Sequence, residues 1–256
     1  MRAIEYLSPP AQVSMGDRWF DISPIDHFWV RRRFEVSRAL AGDVLGNSRN
    51  IAEVGCGHGL VQRQIEDAYG KEVTGFDLNE IALKQNQSQR SSVYCYDICQ
   101  RAPQFRRRFD CIVIFDVLEH IDDQDRFLEA VMFHLAPGGY LVVNVPAGQW
   151  MYSAYDQADG HKRRYSIGQL EHAVERNGCV LVRSSYWGLP LVPVLVLRKI
   201  WLSRSYGDAN AVAVGFDSRN KAINRMLGWL SNCEIVPQRL LGTSVMAVFR
   251  SPIEQG

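Results

Sequence analysis

The chain has 256 residues, 46% of them hydrophobic and 22% charged: enough to bury the core of one large α/β domain or two small ones, and not the composition of a disordered chain. Its 29 Lys and Arg against 28 Asp and Glu leave a formal net charge of +1, which argues against a general nucleic-acid binder with its basic footprint. Six cysteines, at 56, 95, 99, 111, 179 and 233, read as buried thiols of a reducing compartment rather than a disulfide frame, and Cys95 with Cys99 lacks the second pair that a zinc site needs.

The N-terminus, Met1-Arg-Ala-Ile-Glu-Tyr, has no long apolar run and no small-residue cleavage site, so no signal peptide is read there and the expected location is cytoplasmic. Residues 1–48 form an add-on before the sheet begins. From Ile51, short β-branched or apolar runs (Ile51–Val54, Val73–Phe76, Val93–Tyr96, Cys111–Phe115, Tyr140–Val145) alternate with segments of helical period (Leu60–Tyr69, Asn79–Gln87, Asp125–Leu135). That rhythm predicts a parallel sheet with crossover helices on both faces. Pro137-Gly138-Gly139 is read as a turn, Ile167–Arg176 as a helix, and Val180–Ser185 and Ser244–Arg250 as the last strands. The stretch 187–243 between them is far longer than a connection requires and is read as a helical insertion. The expected organisation is a single domain over 1–256: an N-terminal lid segment 1–48, a core of 49–186 plus 244–250, and the insertion.

The densest local signal is Ile51-Ala-Glu-Val-Gly-Cys-Gly-His-Gly59, an apolar strand ending in Glu53, then glycines at alternate positions, then a helix opening at Leu60. Glycines at that spacing let the backbone turn sharply and approach a ligand, and the following helix start presents free N–H groups. The pattern is neither the dinucleotide Gly-x-Gly-x-x-Gly nor a P-loop. Acids follow at successive strand ends: Asp77 in Gly75-Phe76-Asp77-Leu78, Asp97 in Tyr96-Asp97-Ile98, and Asp116 in Phe115-Asp116-Val117-Leu118-Glu119-His120. An acid at the second strand end suits ribose hydroxyls, and one at the third suits an exocyclic amine beside an apolar Ile98. Each acid alone also reads as a helix N-cap.

Together the glycine turn, the three acids and the Leu135-Ala-Pro-Gly-Gly-Tyr-Leu segment resemble the class I S-adenosylmethionine-dependent methyltransferases over residues 50–146. The resemblance implies a Rossmann-like, doubly wound, mostly parallel seven-stranded sheet with its last strand antiparallel, and S-adenosylmethionine as cofactor. It would set Gly55, Gly57 and Gly59, with Glu53 and Cys56, along the methionine part. Asp77 and Leu78 would hold the ribose, Asp97 and Ile98 the adenine, and Phe115, Asp116 and His120 the face nearest the sulfonium.

Methyl transfer to a hydroxyl needs in-line positioning and a base for the departing proton. His120 is one candidate. The other is the loop Tyr152–Ser166, where Asp156, His161, Arg164 and Tyr165 stand close in sequence. Asp156-x-x-x-Gly160-His161-x-Arg163-Arg164-Tyr165-Ser166 resembles a bacterial methyltransferase subfamily encoded with glycan and cell-surface polysaccharide genes. So does Asp26–Arg33, which would fold over the cofactor as a lid with an Arg at its carboxylate; the plain alternative is a solvated helix face. Arg106–Arg108 is read as solvated. The resemblance points to a hydroxyl of a sugar or a glycan- or lipid-linked small metabolite as acceptor. Transfer to N or C of another metabolite, an inactive cofactor-binding partner subunit, and a Rossmann oxidoreductase are the alternatives. No metal is implied. Leu189–Leu197 with its flanking Trp187, Arg198, Lys199 and Trp201 is too short to span a bilayer. Residues 187–202 therefore suit peripheral membrane contact, a cover over a lipid-like substrate, or burial against the domain or a second subunit as a homodimer.

Overall fold

The computed structural model describes the backbone of residues 3–11, 25–205 and 221–253 and the side chains of all of these except 202–205. Residues 1–2 and 12–24 of the expected lid, 206–220 of the expected insertion and the side chain of Leu202 lie outside the described residues. Eight strands form one sheet: β1 (Glu5–Tyr6), β2 (Ile51–Val54), β3 (Val73–Asp77), β4 (Val93–Cys95), β5 (Phe109–Phe115), β6 (Leu135–Pro146), β7 (Val180–Trp187) and β8 (Ser244–Arg250), in the order β1-β4-β3-β2-β5-β6-β8-β7. The first six strands in that order are parallel, and β8 runs antiparallel between β6 and β7. Strand order reverses between β2 and β5, where Ile51 pairs with both Val73 and Cys111. Such a switch point leaves a crevice at the carboxyl ends of the strands.

The expected Rossmann-like α/β sheet is present, with one strand more than expected. β1 comes from the segment read as lid and pairs Glu5 with Tyr94 and Tyr6 with Cys95. Both of its residues are exposed, so no apolar alternation marks it in the sequence; backbone bonds from Leu7 and Ser8 to the Cys95 carbonyl hold it.

The helices are α1 (Phe28–Asn47), α2 (Leu60–Tyr69), α3 (Glu80–Lys84), α4 (Gln124–His134), α5 (Ala154–Ala158), α6 (Ile167–Glu175), α7 (Val192–Ser205) and α8 (Lys221–Ser231). α1 buries Val36, Leu40, Ala41, Val44 and Leu45, a helical-period stripe, in one core layer with Ile51, Val61, Ile65 and Val113. The other layer centres on Phe76, 1% exposed, whose ring meets those of Tyr94, Tyr96, Phe105 and Phe109, the nearest centroid being Phe105 at 5.0 Å. Two local expectations are corrected. The helix read over 79–87 is only the five residues of α3, because Asn86 turns its side chain to Gln62 Oε1 (2.8 Å) and accepts from the Ser88 N–H. Pro137-Gly138-Gly139 is an irregularity inside β6 rather than a turn before it; Gly138 takes φ +73°, and the pairing with β5 shifts register between Phe109 and Cys111.

Because Phe76 fills the centre of its layer, Phe76→Ala should lower unfolding stability by about 3–5 kcal/mol, read from urea denaturation followed by circular dichroism.

Candidate active site at the strand ends

β2 runs into Gly55, Gly57 and Gly59, all left-handed at φ +75°, +52° and +76°. A Cβ at Gly55 would lie 2.3 Å from Val117 Cγ2, so no larger residue fits that turn without displacing its neighbour. Asp77, at the end of β3, ties the turn down: Gly57 N–H donates to its Oδ2 at 2.7 Å and Asn79 N–H to its Oδ1 at 2.8 Å. Burial nevertheless pushes the Asp77 carboxyl up from its ordinary value, against those two bonds. Beside this turn opens a cavity of about 360 Å³ lined by Glu53, Gly55, Cys56, Gly57, Asp77, Phe115, Asp116 and His120 among others.

The floor of the cavity is acidic. Glu53 is 3% exposed, and its Oε2 has no hydrogen-bond partner among the described residues; burial raises its carboxyl to about 8, with Arg33 opposing. Asp116 sits at φ +55°, a strained position for a residue with a Cβ. Its Oδ1 accepts from Asn144 Nδ2 at 2.7 Å and its Oδ2 pairs with Arg33 Nη1. Asn144 Oδ1 in turn accepts from the indole of fully buried Trp187 at 2.8 Å. Arg33 reaches in from α1, its guanidinium 5.3 Å from the Phe115 ring centroid. Arg31 is exposed and Arg32 pairs with Glu35 and Glu234, so of the basic run only Arg33 enters the cavity. Arg106 to Arg108 lie at the far end of β5 and are exposed.

The loop after β6 closes the other side. Asp156, fully buried, accepts from Arg164 Nε at 2.7 Å, from His161 Nδ1 at 2.9 Å and from Ser153 N–H at 2.8 Å. His161 Nε2 lies 3.2 Å from Asp159 Oδ2. Burial opposes charge on His161, but its hydrogen bonds to Asp156 and Asp159 and the field of Glu119 hold it up to about 10. Burial would likewise raise Asp156, but His161 and Arg164 bring it down to about 2. His120, ring centroid 4.8 Å from that of His161, behaves oppositely: burial and the adjacent His161 charge push it down to about 4. Glu119 is fully buried with both carboxylate oxygens unpartnered among the described residues, and burial raises it. Ligand atoms of Glu119, His120 and His161 lie within 4.8 Å of one another, close enough to hold a metal ion. Both His161 nitrogens already face carboxylates, however, and its imidazolium supplies the positive charge there.

Several sequence expectations change. His161 and Asp156, read as base or substrate orienter, form a buried ion pair, and Asp156 does not line the cavity. Tyr165 does not line it either; its hydroxyl is buried against Gln124 Oε1 (2.7 Å) and the Leu118 carbonyl. Arg164 lines the cavity while bound to Asp156 and the Ala147 carbonyl. Leu78, Asp97 and Ile98 lie outside the cavity lining: the Leu78 carbonyl accepts from Ala11 N–H, Asp97 N–H donates to Ser8 Oγ, Asp97 caps the turn Ile98–Gln100, and Ile98 is buried. The lining also holds Tyr155, from the loop read as functional, Leu195 and Arg198, from the segment for which a cover over a lipid-like substrate is one reading, and Thr243, which the sequence did not single out. Arg198 stacks 4.3 Å above the Tyr155 ring; its three-residue spacing from Leu195, one helical face, was the available signal.

Comparison with known proteins is consistent with this geometry. A family model described as a methyltransferase domain matches residues 19–184. A protein of Mycolicibacterium smegmatis described as a probable S-adenosylmethionine-dependent methyltransferase is 29% identical over 139 residues, 54% of this chain and 53% of that one. A ubiquinone biosynthesis O-methyltransferase of Bordetella avium is 27% identical over 138 residues, 50% of this chain and 56% of that one. The chain thus spans about half the length of the curated relatives it matches. Among solved structures, a SAM-dependent methyltransferase from Archaeoglobus fulgidus superposes with TM-score 0.54 at 18% identity, covering 88% of this chain and 96% of that one. Phosphoethanolamine N-methyltransferase 2 of Haemonchus contortus, complexed with phosphomonomethylethanolamine and S-adenosylhomocysteine, superposes with TM-score 0.56 at 17% identity, covering 88% and 53%. The residues present fit S-adenosylmethionine: a glycine turn that a Cβ would fill, an acid at the end of β3, and a buried Glu53 oxygen without a partner.

Asp156→Asn should release His161: its ring, protonated up to pH about 10 in the parent chain, should titrate toward the ordinary 6.5, so that raising the pH from 5 to 8 discharges it in the variant only. Histidine-ring NMR reads this directly. The same variant should lose about 3–5 kcal/mol of stability, because Arg164 is left buried without its carboxylate.

Proposed function

This chain belongs to the methyltransferase-domain family, and we propose that it transfers a methyl group from S-adenosylmethionine to a hydroxyl of a sugar or of a glycan- or lipid-linked small metabolite. The observation that carries the reading is one cavity with the glycine turn and Asp77 on one side and a neutral imidazole, His120, on the other. Gly55, Gly57, Glu53 and Asp77 would hold the cofactor, which supplies an electrophilic methyl group when bound. The chain's own residues then have to orient an acceptor oxygen and take its proton.

His120 is the proton acceptor in this reading, since it lines the cavity and is uncharged at neutral pH, whereas His161 already holds two N–H protons against Asp156 and Asp159. His161 is a positioning residue that orders the loop and fixes the field felt by His120. Arg198, with Leu195 and Tyr155 beside it, gives the acceptor end a cation within an apolar wall, which suits an acceptor carrying both an anionic group and apolar surface. The glycan-linked assignment draws on the loop Asp156–Ser166, and the location that goes with it is the cytoplasm or its membrane face. The ubiquinone O-methyltransferase relative supports oxygen as the attacked atom. The phosphoethanolamine N-methyltransferase neighbour favours the second reading, an amine acceptor with a phosphate. Product analysis separates the two.

With S-adenosylmethionine and a panel of hydroxyl-bearing glycan and lipid-linked acceptors, turnover to S-adenosylhomocysteine is expected; none with any acceptor would leave an inactive binding module. His120→Ala should lower kcat by about 10²–10⁴ while cofactor affinity, read by calorimetry, stays close to the parent's. The base must be unprotonated, so activity of the parent should fall only as pH drops toward about 4 and stay level above 6.5. An acid limb at the ordinary imidazole value, or an unchanged kcat in the variant, would remove His120 from this role.

A further inference from the structure

We infer that the outward side of α7, α8 and the loop after them is a docking surface for an anionic membrane. On α8, Asn224, Gly228 and Ser231, one helical face, turn toward α1. Asn224 Oδ1 accepts from Phe28 N–H at 2.9 Å, a Cβ at Gly228 would touch Phe28 Cβ at 3.5 Å, and Ser231 is buried. Leu227 and Leu230 are half-buried, while Met226 and Trp229 stand outward at 59% and 70% exposure. Large apolar side chains left this exposed are what a second surface outside the chain would cover.

α7 carries apolar residues both inward and outward. Leu195 and Arg198 line the active-site cavity, while Val194 and Leu197 of the same helix are 40% and 67% exposed. Ile235 at 84% and Leu240 at 81%, in the loop leading back to β8, extend the same apolar character. Both helices pack on the turn Leu189–Leu191, which brings these residues to the cavity's end of the sheet.

Charge selects the occupant. In a chain with nearly equal acids and bases, this region carries Lys199, Lys221, Arg225 and Arg239 in addition to Arg198. Its one acid among the described residues 188–205 and 221–243 is Glu234, whose side chain is 2% exposed. That carboxylate accepts from Gly188 and Leu189 N–H and pairs with Arg32. Exposed apolar side chains with bases beside them, and no exposed acid among the described residues, match the interface of a bilayer with anionic headgroups. No described helix is long and apolar enough to cross a membrane, so the contact is peripheral. Docked this way, α7 sets the cavity against the lipid surface, from which an amphiphilic acceptor enters without crossing water.

The test does not use turnover, so it stands or falls separately from the acceptor assignment. The full chain is floated with vesicles of phosphatidylcholine alone and of phosphatidylcholine with phosphatidylglycerol, and its mass is followed by light scattering. Co-flotation with the anionic vesicles, weakened by salt, is expected. Leu197→Asp with Trp229→Asp, and separately Lys221→Glu with Arg225→Glu, should each reduce it at least about tenfold. Calorimetric binding of S-adenosylmethionine, unchanged in these surface variants, shows that they fold. Absence of flotation with anionic vesicles, flotation indifferent to these substitutions, or a homodimer dissolved by them would each overturn the inference.

Discussion

Glu53, Asp116 and Glu119 stand at neighbouring strand ends, all lining one cavity, and carboxylates brought together away from water cost several kcal/mol each unless cations lie beside them. The sheet supplies no cation there. Arg33 from α1 answers Asp116 and lowers the cost at Glu53, and His161 from the loop after β6 sits in the field of Glu119. Two elements outside the strands are therefore fixed in place by charges on them. Asn144 and Trp187 extend the constraint into β6 and β7, since the amide that orients Asp116 is itself oriented by the buried indole. The strained backbone at Asp116 persists because this network determines its side chain from both sides.

The paired histidines show how burial can give one residue type two opposite jobs. His161 touches two carboxylates and keeps its proton; His120, an edge-on 4.8 Å away, touches that charge and loses its own. Each state reinforces the other, because a neutral His120 does not repel the imidazolium and the imidazolium disfavours protonation of His120. Asp156 thereby acts at a distance on the cavity although it does not line it.

Legibility in the sequence followed the range of the interactions concerned. The glycine turn, Asp77 and the alternating strands were visible because a strand, its turn and the next acid are local, and their spacing is set by backbone geometry. The loop Tyr152–Ser166 was visible as a concentration of functional groups, but which one is free to react depends on partners across space. Asp156 looked like a base and is an ion-pair anchor. Arg33 could not be singled out from Arg31 and Arg32, since only the packing of α1 decides which of three neighbours turns inward. β1 had no signal at all: two exposed residues joined by backbone bonds leave no trace in a hydrophobicity pattern.

The insertion after β7 is held to the sheet at a few fixed points. The chain leaves the sheet at Trp187 and returns at Thr243, and those two points are joined: Thr243 N–H donates to the Trp187 carbonyl at 2.9 Å, and Ala147 N–H to the Thr243 carbonyl at 2.9 Å. Gly242 has no room for a Cβ, which would lie 2.3 Å from the Trp187 carbonyl oxygen, so the neck is closed tightly by sterics as well as hydrogen bonds. Glu234 pins the start of the excursion through Gly188 and Leu189 while pairing with Arg32 of α1. Leu195 and Arg198 reach the cavity from the same helix that exposes Val194 and Leu197. A single helix thus both lines the cavity and forms part of the outer surface.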